Sequence, residues 1–268
     1  MIRGEMTKTG WVILFVFLVA STSLFLQAEE QLRTLRGSCS IAATSNEAEA
    51  DLRLERDGCE GKGDCASTQT REPLSAFSGF ALADLQREGA RVDAIIRAEA
   101  GTITCSGAVH DGRMSGAFTF VPDPAFVDRM LQMGYHDLEA EKLQAYTLFR
   151  IGSAWVHSLQ AAGVSGLDSG NLIALRIFHV DTDYIRSLNA LGYATPDAGK
   201  LIALRVQHVD PEEVKQIRAM GYQPTLDELI QMRIFNITPD FIHRMQAKGL
   251  NDLTISKLVQ IRIFKLAE

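Results

Sequence analysis

From Asp123 onward the apolar positions follow a helical rhythm written five times. Gly134, Gly163, Gly192, Gly221 and Gly249 lie 29, 29, 29 and 28 residues apart. A leucine follows each by nine residues, or by eight after Gly221, giving Leu143, Leu172, Leu201, Leu229 and Leu258. From the second copy on, this leucine opens LIALR, LIALR, LIQMR and LVQIR. A fixed period of this size predicts a helical array.

Each copy reads as two short helices. The first is predicted to start at Asp123, Gly152, Asp181, Asp210 or Thr238, where in four of five cases a side-chain oxygen can cap the first turn. Pro124, Pro211 and Pro239 suit the first helical position. Phe126, Trp155, Tyr184, Glu213 or Phe241 shares a face with Met130, Leu159, Leu188, Ile217 or Met245, and the glycine ends the helix. The second helix starts at Glu139, Asp168, Asp197, Thr225 or Thr254, with Thr225 and Glu228 spaced as a capping box. Its apolar set in the third copy is Leu201, Leu204, Val206 and Val209. Helices of about ten residues are too short to stand alone in water, so stacking must hold them, as in a solenoid.

Residues 29–121 switch to a period of two. Leu35, Gly37, Cys39, Ile41 and Ala43 alternate with polar or small residues, as do Ala50, Leu52 and Leu54, and later Val92, Ala94 and Ile96. Thr102–Val109 and Met114–Val121 flank His110-Asp111-Gly112-Arg113, a tight antiparallel turn. This predicts a small antiparallel β domain, a sandwich or a curled sheet, with a short helix or turn near Leu82–Gln86. Segments 44–50 and 57–70 read as loops. The fold class is therefore α+β: a sandwich-like antiparallel domain at 29–121, then a solenoid-like array of five helical hairpins at 122–268.

The remaining pattern is N-terminal. Arg3 and Lys8 precede ten apolar residues, Trp11–Ala20, followed by Ser21-Thr22-Ser23 and Leu24–Ala28. Small residues at Ser21 and Ala28 fit the cleavage site of a secretory signal over 1–28. The competing reading is an uncleaved anchor over 11–28, close to the shortest span that crosses a bilayer. Both place the rest of the chain outside the cytoplasm, periplasmic or secreted.

Charge narrows the partners. The formal net charge is −6, and removing residues 1–28, which carry Arg3, Lys8 and Glu5, makes it −7. That excludes the basic footprint of a nucleic-acid binder. All four cysteines fall in the β region, and an even count in an exported chain favours disulfides. Three connectivities exist. Cys39 and Cys105 share the apolar parity of their strands with Ile41 and Ile103, while Cys59 and Cys65 flank GCEGKGDC, so 39–105 with 59–65 is preferred.

Candidate chemistry is sparse. The chain has no His-Glu-x-x-His, Gly-x-Ser-x-Gly, phosphate-loop or dinucleotide glycine motif, and no Cys-x-x-Cys zinc pair. No catalytic residue, metal ligand or cofactor is therefore expected. Asp57, Glu60 and Asp64 fall short of a calcium loop and read as a solvated segment. The candidate polar stripe is the ladder Arg176, Arg205, Arg233 and Arg262, with His179, His208, Asn236 and Lys265 three residues on. Stacked copies would align it for an acidic ligand. We read it first as structural, because cations near helix C-termini complement the dipole and bond the last carbonyls. The aromatic column Phe126, Trp155, Tyr184 and Phe241 likewise reads as core rather than a sugar platform.

The stretch AGTITCSGAVHDGRMSGAFTFVPDPAFVDRMLQMGY at 100–135, with the GY…LIALRI repeats after it, resembles the extracytoplasmic tails of bacterial membrane metallopeptidases of the beta-lactam-sensor type. The resemblance spans roughly 90–268 and bears on architecture. The zinc peptidase of those proteins has no counterpart in these 268 residues, so no peptidase activity is implied. It implies a non-enzymatic sensing or interaction module of the cell envelope with a protein or peptide partner, touching membrane only through an uncleaved N-terminal segment. An envelope hydrolase of unfamiliar type and a cell-wall or glycan-binding protein are the alternatives. Thr147 stands where later copies have arginine and Gly152 where they have a cap, which marks the first copy as the junction to the β domain.

Overall fold

A computed structural model describes residues 32–57, 67–194 and 196–266. The N-terminal signal or anchor, the Cys59–Cys65 pair and the acids Glu60 and Asp64 lie outside the described residues. The chain forms two compact units, one up to Ser153 and one from Ala154 on. The first hairpin of the array thus falls in the same unit as the strands.

Among the described residues of that first unit are seven strands: β1 Leu35–Ala43, β2 Glu49–Arg56, β3 Thr68–Pro73, β4 Phe77–Ser78, β5 Arg91–Ala98, β6 Gly101–His110 and β7 Arg113–Pro122. Of the two arrangements expected, they take the curled sheet, a single antiparallel layer in the order β3-β2-β1-β7-β6-β5-β4. The β6–β7 turn has Asp111 at φ 50° and Gly112 at φ 72°, the positive φ values its Asp-Gly pair suits. Short 3-10 turns cover Leu74–Ala76 and Leu82–Gln86. One sheet face buries Ile41, Leu52, Ile103, Met114, Phe118 and Phe120. Curling is tight enough that the Cα atoms of Cys39 on β1 and Cys105 on β6, with β7 between their strands, come within 6.1 Å and form a disulfide. Gly116 on β7 permits this approach, since a Cβ there would sit 2.0 Å from the carbonyl oxygen of Ser106.

Strand β3 begins at Thr68, inside a segment the sequence reads as loop, and β2 begins at Glu49, inside the other. In β3 the inward positions are polar, so no apolar alternation announces it. Glu72 points inward and is 2% exposed, with its carboxylate held by Arg150 at 2.7 Å and by Thr70 Oγ1 at 3.2 Å. A buried charge with such partners satisfies its hydrogen bonds without an apolar side chain.

Ten helices follow: α1 Pro124–Gln132, α2 Ala140–Leu148, α3 Ser153–Ala161, α4 Ser169–Ile177, α5 Thr182–Ala190, α6 Ala198–Val206, α7 Pro211–Ala219, α8 Leu226–Ile234, α9 Pro239–Ala247 and α10 Ile255–Phe264. Odd numbers are the first helices of the copies and even numbers the second. Asp123, Asp168, Asp181, Asp197, Asp210, Thr225, Thr238 and Thr254 each accept a first-turn N–H, and Thr225 with Glu228 completes the capping box. Gly134, Gly163, Gly192, Gly221 and Gly249 have positive φ just past the first helices, where a side chain would be strained.

In the first unit α2 packs on β5, β6 and β7. In the second unit like stacks on like: α4 touches α6, α6 touches α8 and α8 touches α10, while α5 touches α7 and α7 touches α9. Leu172, Leu175, Leu201, Leu204 and Leu258 are fully buried along this seam. No helix among the described residues is long and apolar enough to cross a membrane.

Candidate functional site

Three arginines of the ladder, Arg205, Arg233 and Arg262, are tied into the stack by two kinds of contact each. Arg205 donates from Nε to the Phe178 carbonyl at 3.0 Å and lies 4.8 Å over the Tyr184 ring. Arg262 donates from Nε to the Phe235 carbonyl at 3.3 Å, from a terminal nitrogen to the Asn236 carbonyl at 3.2 Å, and lies 4.5 Å from the Phe241 ring. Arg176 lies 5.4 Å over Trp155. Arg233 reaches the Gln207 carbonyl at 3.1 Å, and where the other copies offer a ring it meets the Glu213 carboxylate at 2.7 Å. Each of Arg205, Arg233 and Arg262 therefore bonds the carbonyl that closes the second helix of the preceding copy while gripping the first helix of its own. A planar, weakly hydrated fork suits both contacts. It also meets orphan carbonyls at the negative end of a helix.

Glu213, the one non-aromatic member of its column, is explained by the same geometry. Its carboxylate takes the place of the ring against Arg233. A small hollow lined by Val209, Asp210, Val214 and Ile217 is left beside it.

The histidines do not continue the second helices, as the three-residue spacing suggested. His179, His208, Asn236 and Lys265 adopt left-handed φ of 54°, 53°, 52° and 50° just past the helix ends, and Arg150 does so in the first copy at 52°. Histidine and asparagine are enriched in that region among non-glycine residues. His179 and His208 are exposed, whereas the arginines beside them are half-buried in stacking contacts.

A row of apolar residues is the feature the sequence reading missed. Ile177, Val206, Ile234 and Ile263 occupy equivalent positions and are 43%, 39%, 55% and 49% exposed. Val206 thus leaves the apolar seam assigned to it, while Leu201, Leu204 and Val209 remain buried. The signal was present: LIALRI is apolar on more than one helical face, whereas a surface helix buries a single stripe. In the first copy the equivalent face is covered, with Leu148 1% and Gln144 6% exposed where α2 packs on the sheet. Glu141 on that face is paired with Arg33 at 2.7 Å and with Arg56.

Partial burial pushes the Glu99 carboxyl up, but the hydroxyl and N–H of Ser153 and the Arg129 guanidinium together outweigh it and hold it below the usual glutamate value. Glu99 reaches Ser153 N at 2.9 Å and sits where a Cβ on residue 152 would be 2.7 Å from its oxygen, which accounts for Gly152 and its missing cap. Burial pushes the Tyr184 hydroxyl up to about 12, and that hydroxyl donates to the Val209 carbonyl at 3.1 Å. The bond from His110, with the Asp111 N–H, lowers Glu88.

Among the described residues no three His, Cys, Asp or Glu side chains stand together as a metal site. The apolar row on the second helices is therefore the surface with an unexplained exposure. Comparison with protein-family models, with curated proteins and with solved structures finds no match to the chain.

Proposed function

We propose that the chain is a non-enzymatic protein-interaction or sensor module acting outside the cytoplasm, its repeats stacked in a solenoid-like array. The observation that carries this reading is the row Ile177, Val206, Ile234 and Ile263, exposed at the same position in successive copies. Repeat arrays work through extended surfaces rather than deep pockets, and a contiguous apolar patch left in water marks an interaction site. An extracytoplasmic setting is supported by the apolar run Trp11–Ala20 behind Arg3 and Lys8 and by the Cys39–Cys105 bond, which oxidising compartments favour. The likeness to beta-lactam-sensor tails points the same way. Glycan binding through the sheet has less support, since its described outer face carries Ser38, Thr104, Ser106, Ser115 and Thr119 in place of stacking rings.

The test is a photo-cross-linking residue at Ile234 in the producing cell, with one at the exposed Lys215 of α7 as control. The expected outcome is a protein adduct specific to Ile234, found in the extracytoplasmic fraction on a chain whose first residues are read by N-terminal sequencing. Equal labelling at both positions, lipid adducts alone, or a cytoplasmic chain would overturn the reading.

A further inference from the structure

Each copy closes its second helix with the same turn and an apolar residue. Arg150, His179, His208, Asn236 and Lys265 hold left-handed φ, and Ile151, Val180, Val209, Ile237 and Leu266 follow them. The N–H of each apolar residue donates to the carbonyl five positions back, at 2.9, 2.8, 2.9, 2.7 and 3.1 Å in chain order. The turn is repeated faithfully, but its burial is not. Ile151, Val180, Val209 and Ile237 are 1%, 1%, 3% and 1% exposed, whereas Leu266 is 69% exposed. Ile261 is half-buried, whereas its equivalents Tyr146, Leu175, Leu204 and Met232 are fully buried. Phe264 is 66% exposed, whereas Phe178 is 38% exposed and Phe235 is half-buried.

The fourth copy shows what covers this face. Met232 and Ile237 share one core cluster with Phe241, Ile242 and Met245 of α9 and with Leu258 of α10, and Phe235 packs against it. The closing carbonyl is taken by the following copy as well: Arg205 bonds that of Phe178, Arg233 that of Gln207 and Arg262 that of Phe235. Phe264 presents the equivalent carbonyl at the end of α10, and no following copy stands among the described residues to supply an arginine. Repeat arrays close with a polar outer face. Ile261, Phe264 and Leu266 instead keep the apolar pattern of the inner junctions.

We propose that this face is a docking site for a helical hairpin of the repeat's own pattern, carried by a partner protein. The inner junctions define that hairpin. Its first helix has Asp or Thr at the cap, an aromatic residue three positions on and Leu or Met seven positions on, as in Asp181, Tyr184 and Leu188. Its second helix carries arginine four residues after leucine, as in Leu201 and Arg205. The apolar residues cover Ile261 and Leu266, and the arginine bonds the Phe264 carbonyl. A strand or an unpatterned apolar peptide leaves that carbonyl without its donor. This inference rests on the inner junctions and not on the exposed row, so it goes beyond the reading above.

A photo-cross-linking residue at Phe264 of the full chain, in the producing cell, tests it. The expected result is an adduct whose partner peptide, sequenced by mass spectrometry, carries the cap–aromatic–Leu/Met or the Leu-x-x-x-Arg spacing. Leu266→Glu in the same chain is expected to lower the yield about tenfold, the scale of one well-placed contact, and Ile177→Lys to leave it unchanged. Leu266 is exposed, so Leu266→Glu is expected to melt with the parent, and Leu266→Ser serves if it does not. No protein adduct, a partner peptide without either spacing, or a yield indifferent to Leu266→Glu overturns the proposal. An adduct of twice the chain mass makes the occupant a second copy and overturns it too. None of these outcomes bears on the Ile234 cross-link, which tests the exposed row.

Discussion

At the scale of single residues, the repeat is governed by what the backbone demands at helix ends. The five residues from Arg150 to Lys265 that close the second helices hold left-handed φ without being glycine. Such a conformation carries a penalty of roughly 1–2 kcal/mol for an L-residue. His208→Gly is therefore expected to raise the unfolding free energy by about 1 kcal/mol in urea titration, and His208→Val to lower it. Glu99 is a second residue-scale case, with a sign that follows from its lowered pKa. A carboxyl held below its ordinary value stabilises the fold above the unfolded glutamate value, and that contribution disappears as pH falls through the folded one. Wild type should thus lose stability relative to Glu99→Gln as pH is lowered below about 5. Parallel melting of the two proteins between pH 6 and pH 3 would show that the Ser153 contacts do not hold the carboxylate.

At the scale of elements, the arginine of each of the last three copies clamps three pieces of chain. Arg205 joins α6, the closing carbonyl of α4 and the Tyr184 ring of α5. Its removal strips a cation from a helix C-terminus, a ring contact and an alkyl stem. Arg205→Ala is expected to lower stability by about 1–2 kcal/mol, and Arg205→Lys to recover only part of it, because an ammonium cannot both stack and bond in one plane. Thermal melts of the three proteins decide this, and a melt unchanged in Arg205→Ala would return the ladder to the role of a binding stripe. The exposed pairs Arg186–Asp183 and Lys215–Glu212 are of another kind, with salt-screened contributions near zero.

At the scale of the whole molecule, the cross-link between β1 and β6 is what ties the curled sheet across its middle strand. It closes 66 residues of chain, and removing such a loop constraint releases unfolded-state entropy. Cys39→Ala with Cys105→Ala is expected to lose about 2–4 kcal/mol, read by denaturant titration against the oxidised parent. A reducing agent should give a similar loss in the parent and none in the double variant.

The sequence by itself determined the helices, their caps, the hairpin at Asp111-Gly112 and the facing of Cys39 and Cys105, because each follows from local backbone preference or from a period of two or 3.6. Polar alternation hid β3, whose inward Glu72 is legible only once Arg150 is seen beside it. The exposure of Val206 and Ile234 showed in the sequence only as one apolar face too many in LIALRI, since an apolar residue after arginine looks the same whether or not a neighbour covers it. Tertiary structure decided those points, and it decided that the arginines bond backwards into the preceding copy. Burial and long-range pairing depend on which surfaces meet, and the identity of a residue states only what it would gain from meeting one.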